Sequence, residues 1–160
     1  AESSHPFTGA AVIDVDGNGS LEVFVGGGRG QADMLLGFKD DALVDVMGAR
    51  RLSNPASATH GAASSDLDGD GDVDLVVARE DGLTLYINDG AKFEARDVPV
   101  TLGMDAIPLS VAISDVNGDG HGDLYISVFV SFGAFKSGTF NDVDHMKLNV
   151  LLINNGDLTF

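Results

Sequence analysis

The sequence predicts an all-β protein that is built from three similar repeats, and three observations lead to this prediction. First, a nine-residue loop rich in aspartate and glycine occurs three times, as DVDGNGSLE at 14–22 (loop 1), DLDGDGDVD at 66–74 (loop 2) and DVNGDGHGD at 115–123 (loop 3). Second, the first residues of successive loops lie 52 and 49 residues apart. Third, the segments LEVFV, DLVVA and DLYIS at the loop ends are rich in β-forming residues and lack a helical period, so each loop is expected to lead into a strand.

Each repeat is predicted to form one four-stranded sheet. A strand of small residues precedes each loop, a second strand follows it, and a hairpin completes the repeat. Asp89-Gly90 and Asn155-Gly156 favour two-residue hairpin turns, because both central positions of such a turn take positive φ; the first repeat has only a weaker version, LLGFKDDALV. A period near 50 residues is typical of β-propeller blades rather than of helical solenoids. We therefore predict three blades, from residues 1–55, 56–104 and 105–160.

The composition of the three loops predicts calcium sites. Each loop has an oxygen-bearing side chain at positions 1, 3, 5 and 9 and glycine at positions 4 and 6. Calcium takes six to eight oxygen ligands, and a single loop supplies them only if glycine allows a sharp turn with positive φ. The predicted side-chain ligands are Asp14, Asp16, Asn18 and Glu22; Asp66, Asp68, Asp70 and Asp74; and Asp115, Asn117, Asp119 and Asp123. At position 7, the backbone carbonyls of Ser20, Asp72 and His121 are predicted to complete the sites.

Two alternatives compete with this interpretation of the loops. An EF-hand shares the opening pattern but needs a bidentate glutamate at position 12, where this chain has Val25, Val77 or Ile126 in strand-forming segments. We therefore reject the EF-hand. The second alternative is that the loops are acidic turns that bind no metal, but three copies in the same register favour metal sites.

The repeated pattern resembles that of a known family. Its form, G-A-A-x-x-D-x-D-G-[DN]-G-x-x-[DE] followed by apolar residues, is similar to the FG-GAP and VCBS repeats of integrin α-subunit propellers and of many secreted bacterial proteins. The hairpin L-x-N-x-G and the third repeat are most similar to the cartilage acidic protein-like branch. The resemblance implies a β-propeller, commonly seven-bladed, with calcium in loops at one end of the blades. The chain departs from the pattern in the GGG at 26–28, in Glu22, and in Asn18 and Asn117, and the last three keep an oxygen donor at the ligand position.

Three blades do not complete a propeller, since such rings close with typically four to eight blades. We expect the rest of the propeller to come from one of three sources: further residues of a longer polypeptide, a second chain, or a second copy that forms a six-bladed ring. A protein or glycan ligand is the other expected partner.

The composition of the chain restricts the kinds of binding partner and the cellular compartment that we expect. The formal net charge of −16 argues against nucleic acids and anionic membranes as partners. No apolar run reaches the roughly 18 residues that a transmembrane helix needs. Because calcium is abundant outside the cytosol, three Ca²⁺ sites predict an extracellular, periplasmic or cell-surface protein. The chain has no cysteine, and this neither requires nor excludes an oxidising compartment.

The third repeat contains an insertion. The last loop ligand and the hairpin asparagine are 14 residues apart in the second repeat (Asp74 to Asn88) but 31 in the third (Asp123 to Asn154), so about 17 residues are added within 127–147. This segment holds four of the nine phenylalanines, at positions 129, 132, 135 and 140. We weigh three roles for it: packing over the blade, contact with a partner, and a fourth metal site at Asp142, Asp144 and His145.

Other candidate sites are weaker. The glycine-rich segment 26–31 is expected to connect two strands rather than to bind phosphate, because a strand and not a helix follows it. His60 is expected to be a structural residue on the strand that lines the propeller channel. The favoured function is a calcium-stabilised interaction module. The alternative is a propeller enzyme or enzyme subunit, for example polysaccharide lyase-like, with its catalytic site in the channel or outside this chain.

Overall fold

The computed structural model describes residues 8–48, 52, 57–131, 133–134 and 147–160. Within these ranges the chain forms eleven β-strands in three antiparallel sheets and no α-helix. The predicted all-β fold of β-propeller blades is therefore confirmed. We number the blades 1 to 3 in chain order.

In each blade the strands follow one another in chain order. Blade 1 contains β1 (Ala10–Ile13), β2 (Glu22–Val25), β3 (Met34–Lys39) and β4 (Ala42–Asp45). Blade 2 contains β5 (Thr59–Ser65), β6 (Asp74–Arg79), β7 (Gly82–Asn88) and β8 (Phe93–Val98). Blade 3 contains β9 (Ala106–Ser114), β10 (Asp123–Val130) and β11 (Val150–Leu152). Loops 1, 2 and 3 each join the first two strands of a blade, so they occupy equivalent positions.

Blade 3 has three strands among the described residues, whereas the sequence predicts four. The chain after β11 remains in a turn, in which the Asn155 N–H donates to the Thr159 carbonyl at 2.9 Å. Gly156 and Leu158 both have positive φ there. Leu158 is also buried in the apolar core shared with blade 2. In blade 2 the fourth strand begins at Phe93, five residues after Asn88, and the same distance after Asn154 leads to Thr159, next to the last residue of the sequence.

The predicted two-residue turn at Asp89-Gly90 is wrong. Asn88 pairs with Phe93, which leaves a four-residue loop, and only Gly90 in that loop has positive φ. The Asp89 carboxylate accepts the N–H groups of Ala91 and Lys92 and so stabilises the wider turn. The two-residue turn occurs instead in blade 1, where Lys39 pairs with Ala42 around two aspartates of positive φ, Asp40 and Asp41.

The first strands of the blades pack side by side, β1 against β5 and β5 against β9. Glycine permits the close approach. A Cβ at Gly9 would lie 2.6 Å from the Gly61 backbone, and a Cβ at Gly61 would lie 2.6 Å from the Ser110 Cα. The third member of this series, Ser110, has a side chain, and its hydroxyl lies 2.8 Å from that of Ser127.

Blade 2 is buried on both faces. Along β6, Leu75 and Val77 belong to the core shared with blade 1, while Val76 and Ala78 belong to the core shared with blade 3. Successive strand residues point to opposite faces, so a strand packed on both sides must be apolar throughout. The run DLVVA therefore marks the central blade of the three.

Candidate metal centre

The three loops share one backbone conformation. Glycines at positions 4 and 6 have positive φ in all three, which glycine adopts at little cost; they are Gly17, Gly19, Gly69, Gly71, Gly118 and Gly120. In each loop the carboxylate at position 1 accepts the N–H of the glycine at position 6. The distances are 2.8 Å in loop 1, 3.0 Å in loop 2 and 2.9 Å in loop 3. The repeated sequence thus produces a repeated turn that wraps around the first aspartate.

Loop 2 brings three predicted ligands together. One carboxylate oxygen from each of Asp66, Asp68 and Asp74 lies within 4.8 Å of the others. Such a group of hard, anionic oxygens suits calcium rather than a soft transition metal. The Asp70 carboxylate lies in the same loop and accepts the Asp72 N–H at 2.9 Å. The donor chemistry of loop 2 therefore fits a calcium ion.

The electrostatics of loop 2 favour a cation. Burial, together with the negative charges of Asp70 and Asp66, raises the pKa of Asp68. Burial also raises the pKa of Asp74 to about 6, even though the N–H groups of Asn88 and Leu67 donate to this carboxylate and oppose the shift. A bound cation would stabilise the ionised form of both groups.

Without divalent cations, the wild-type chain is expected to lose stability relative to Asp74→Asn as the pH rises from about 4 to about 6. The folded chain keeps the Asp74 proton up to a pH of about 6, whereas the unfolded chain releases it near 3.8. Between these values the folded state binds more protons, so its stability falls with rising pH. Urea unfolding of both chains in chelator, at intervals from pH 4 to 7, measures this difference. Parallel pH profiles for the two chains would contradict it.

Loops 1 and 3 differ from loop 2 at their asparagines. In loop 3 the Asn117 side-chain N–H donates to the Asp119 carboxylate at 2.8 Å, and the Asn117 side-chain oxygen accepts the Asp119 backbone N–H at 3.0 Å. In loop 1 the uncharged Asn18 oxygen accepts the Ser20 N–H at 2.7 Å, where the Asp70 carboxylate of loop 2 accepts the Asp72 N–H. Among the described residues, three acidic groups converge within 4.8 Å in loop 2 only. Calcium binding in loops 1 and 3 remains a prediction.

The other predicted loop ligands lie in turns at the surface. In loop 1, Asp14 is half-buried and Asp16 is exposed. In loop 3, hydrogen bonds from the loop backbone, Gly120 first, lower the pKa of Asp115. The His121 ring lies against the blade 3 turn, since a Cβ at Gly156 would be 2.7 Å from its Nε2. The His121 side chain therefore packs against this turn, and the calcium contact that we predict for His121 involves its backbone carbonyl alone.

The acid at position 9 is buried in every loop, and it is Glu22, Asp74 or Asp123. Each accepts the backbone N–H of position 2 in its own loop, at 3.1, 2.8 and 2.9 Å respectively. In loops 2 and 3 its other oxygen accepts the N–H of a hairpin asparagine, Asn88 or Asn154, at 2.9 Å. The position 9 acid therefore ties the loop to the hairpin of the same blade.

The side chains of these two asparagines reach the preceding blade. Asn88 Nδ2 donates to the Val15 carbonyl of loop 1 at 3.2 Å, and Asn154 Nδ2 donates to the Leu67 carbonyl of loop 2 at 3.0 Å. Both asparagines are almost fully buried. The sequence identifies them as landmarks of the hairpins, but this contact between blades was not predicted.

The comparison with known families fits this geometry. Residues 66–126 match the model of the FG-GAP-like repeat. The match covers less than half of the chain and runs from the first residue of loop 2 to the middle of β10. It supports the FG-GAP repeat as the relevant family, whereas the cartilage acidic protein-like branch stays a prediction. A search of curated proteins gave no match.

The structure also contains a buried ionic cluster that sequence reasoning missed. Asp33, which directly precedes β3, pairs with Arg79 at the end of β6, at 2.7 Å, and both side chains are buried. The same carboxylate accepts the Gly27 N–H and the Thr59 hydroxyl. Arg79 also donates to the Tyr86 hydroxyl at 2.9 Å. The cluster fastens blade 1 to blade 2 at the end of the sheets away from the loops.

The glycine-rich segment 26–31 takes part in this fastening. It turns through a hydrogen bond from the Gln31 N–H to the Gly28 carbonyl and leads into β3, the strand that the sequence predicts there. Arg29 forms an exposed ion pair with Glu80 of blade 2. The segment is therefore a connection between strands that also contacts the next blade.

His60, a predicted structural residue, is buried between inner strands, where its Nδ1 donates to the Pro108 carbonyl at 3.2 Å. An open cavity of about 600 Å³ lies at the end of blade 2 away from the loops, where its lining combines the charged residues Arg79, Glu80, Asp81 and Asp97 with apolar residues of blade 2 and of the connection to blade 3. Most of the insertion lies outside the described residues, and so does the predicted fourth metal site at Asp142, Asp144 and His145.

Within the described ranges, no helix has the length and apolar character to cross a bilayer.

Proposed function

We propose that this chain is a calcium-stabilised part of an extracellular β-propeller that acts as an interaction module. The observation that carries the proposal is the convergence of Asp66, Asp68 and Asp74 within 4.8 Å in loop 2. The same loop opens the segment that matches the FG-GAP-like repeat. Loops 1 and 3 repeat its backbone, so we assign them calcium sites as well. A supply of calcium outside the cytosol suits such sites and supports an extracellular, periplasmic or cell-surface location.

The outer face of blade 3 supports a further blade as partner. Position 2 of the loop is 1% exposed in loops 1 and 2, where the next blade covers Val15 and Leu67, but Val116 of loop 3 is 55% exposed. Phe24 and Val76 are likewise buried under the following blade, whereas Tyr125 at the equivalent place in β10 is 47% exposed. Val116 and Tyr125 therefore belong to an exposed surface of blade 3, and the equivalent surfaces of blades 1 and 2 are buried under the following blade.

The partner blade that fits this surface carries a hairpin asparagine. At both described interfaces the carbonyl of loop position 2 accepts an asparagine side chain from the next blade. In blade 1 the equivalent position is Phe38, because Leu36 pairs with Val23 as Tyr86 pairs with Leu75. Phe38 is exposed, and its side chain has no amide group that could donate. A second copy that presented its blade 1 would therefore leave the Val116 carbonyl without this donor, and the rest of a larger propeller fits better.

Calorimetric titration of the chelator-treated chain with Ca²⁺ tests the proposal. We expect binding with up to three sites, and a weaker response to Mg²⁺, which demands stricter octahedral geometry and loses its water less readily. Below pH 6, calcium binding is also expected to release a proton from Asp74. A chain that binds neither ion at millimolar concentration would contradict the proposed function.

A further inference from the structure

The hydrogen bonds of the two hairpin asparagines form one continuous chain through all three loops. It begins at Asp123, whose carboxylate accepts the Asn154 N–H, and it crosses to blade 2 where Asn154 Nδ2 donates to the Leu67 carbonyl. The Leu67 N–H donates to Asp74, and Asp74 also accepts the Asn88 N–H. This part of the chain therefore connects the position 9 acids of loops 3 and 2.

The second crossing repeats the first one. Asn88 Nδ2 donates to the Val15 carbonyl, and the Val15 N–H donates to Glu22 in loop 1. Each crossing uses the peptide groups of a position 2 residue that is itself buried. Since a buried donor or acceptor that loses its partner is costly, these contacts hold each loop in register with the next one.

We propose that Asn88 and Asn154 couple the loops energetically, so that ordering of one loop, by a bound cation for instance, organises the loop of the preceding blade. The cation part of this inference rests on the proposed function. A cation that fixes Asp74 also fixes the Asn88 N–H on the same carboxylate and thereby the Asn88 side chain on Val15. Loop 1 is then already arranged when its own ion arrives, which raises its affinity. By linkage, an ion in loop 1 raises the affinity of loop 2 by the same factor.

The asparagines act as positioning residues in this proposal. Their side chains contact carbonyl oxygens of the loop backbone and not a predicted ligand atom. Replacement of Asn88 by alanine removes the Nδ2 contacts with the carbonyls of Val15 in loop 1 and Val73 in loop 2, and the Oδ1 contact with the Gly90 N–H. It retains the backbone N–H that donates to Asp74. The variant therefore separates loop 1 from loop 2 without removing a ligand from either loop.

Calcium titration followed by amide NMR tests the coupling. The N–H groups of Gly19, Gly71 and Gly120 each donate to the first aspartate of their own loop, so each amide signal reports one loop. Asp70→Ala, which weakens loop 2, is expected to lower the calcium affinity of loop 1 by about 5-fold or more, the lower end of usual couplings. In the Asn88→Ala background, the same Asp70→Ala change is expected to leave the Gly19 titration unaltered.

Blade 3 supplies a second test and a control. Asn154→Ala is expected to abolish coupling between loops 3 and 2 and to preserve coupling between loops 2 and 1. The matched control is Asn155→Ala, because among the described residues the neighbouring Asn155 side chain donates within its own hairpin, to Thr159, and not to another blade. Equal effects of Asn154→Ala and Asn155→Ala on the titration of loop 2 would overturn the proposal.

A metal-free measurement keeps this inference separate from the proposed function. In chelator, Asp74→Ala is expected to speed hydrogen exchange at the Gly19 amide in the wild-type background but not in the Asn88→Ala background. If calcium shifts none of the three glycine signals, the proposed function fails and the exchange measurement alone decides the coupling. If calcium shifts all three signals while Asn88→Ala leaves the effect of Asp70→Ala on loop 1 intact, the function stands and the coupling through Asn88 is wrong.

Discussion

Asp33→Ala is expected to lower the free energy of unfolding by about 3–5 kcal/mol, the usual consequence of removing one partner from a buried ion pair. Asp33 and Arg79 are both buried and 2.7 Å apart. Without the carboxylate, the buried Arg79 guanidinium stays in the interface between blades and keeps its hydrogen bond to the Tyr86 hydroxyl, but it loses the negative charge of Asp33. The Gly27 N–H and the Thr59 hydroxyl also lose their acceptor. Equilibrium urea unfolding of the wild-type and variant chains in calcium measures the loss.

Two companion variants make this result specific. Arg29→Ala removes the neighbouring exposed ion pair with Glu80 and is expected to leave the urea midpoint unchanged, because exposed pairs contribute little. The double variant Asp33→Leu/Arg79→Met replaces the buried charges with apolar groups and is expected to be more stable than Asp33→Ala alone. A loss below about 1 kcal/mol for Asp33→Ala, within the range of exposed pairs, would contradict the assigned role.

The second large effect is expected on calcium removal. An ion that binds only the folded chain adds about 2.7 kcal/mol of stability at a concentration 100-fold above its dissociation constant. Asp68→Ala removes one of the three converging carboxylates of loop 2 and is expected to abolish the share of this gain that loop 2 supplies. Thermal unfolding with chelator and with saturating Ca²⁺, for wild type and Asp68→Ala, gives the comparison.

Asp72→Ala provides the matched control for loop 2. Asp72 is also acidic and lies in the same loop, but we assign calcium only its backbone carbonyl. The variant is therefore expected to retain most of the calcium-dependent rise in melting temperature. Equal losses for Asp68→Ala and Asp72→Ala would indicate a general charge effect instead of a defined site, and a melting temperature indifferent to chelator would exclude calcium stabilisation.

The repeated loops made the fold predictable from sequence. Local signals decide it: glycines that take positive φ, β-forming runs after each loop, and a period near 50 residues. The apolar run of β6 also matched its environment, since both faces of that strand are buried. These features depend on residues that are close in sequence, and local physical chemistry determines them.

The features that join the blades were not predictable in the same way. Asp33 and Arg79 are 46 residues apart and belong to no repeated motif, so their pairing depends on how two sheets stack. The Asn88 side chain reaches a carbonyl 73 residues earlier in the chain, and a backbone acceptor leaves no trace in a sequence. The turn at Asp89-Gly90 was mispredicted for a related reason, because the Asp89 carboxylate stabilises a wider loop than the dipeptide favours.

The asparagine contacts also have a direction, since the donor at each boundary always comes from the later blade. The Val15 carbonyl meets its partner only after residue 88 has been made, and the Leu67 carbonyl only after residue 154. Domains emerge from the ribosome with the amino-terminal part first. Each loop would thus gain its asparagine contact only after the hairpin of the next repeat has been synthesised. In a chain truncated within a repeat, the last loop would lack this contact.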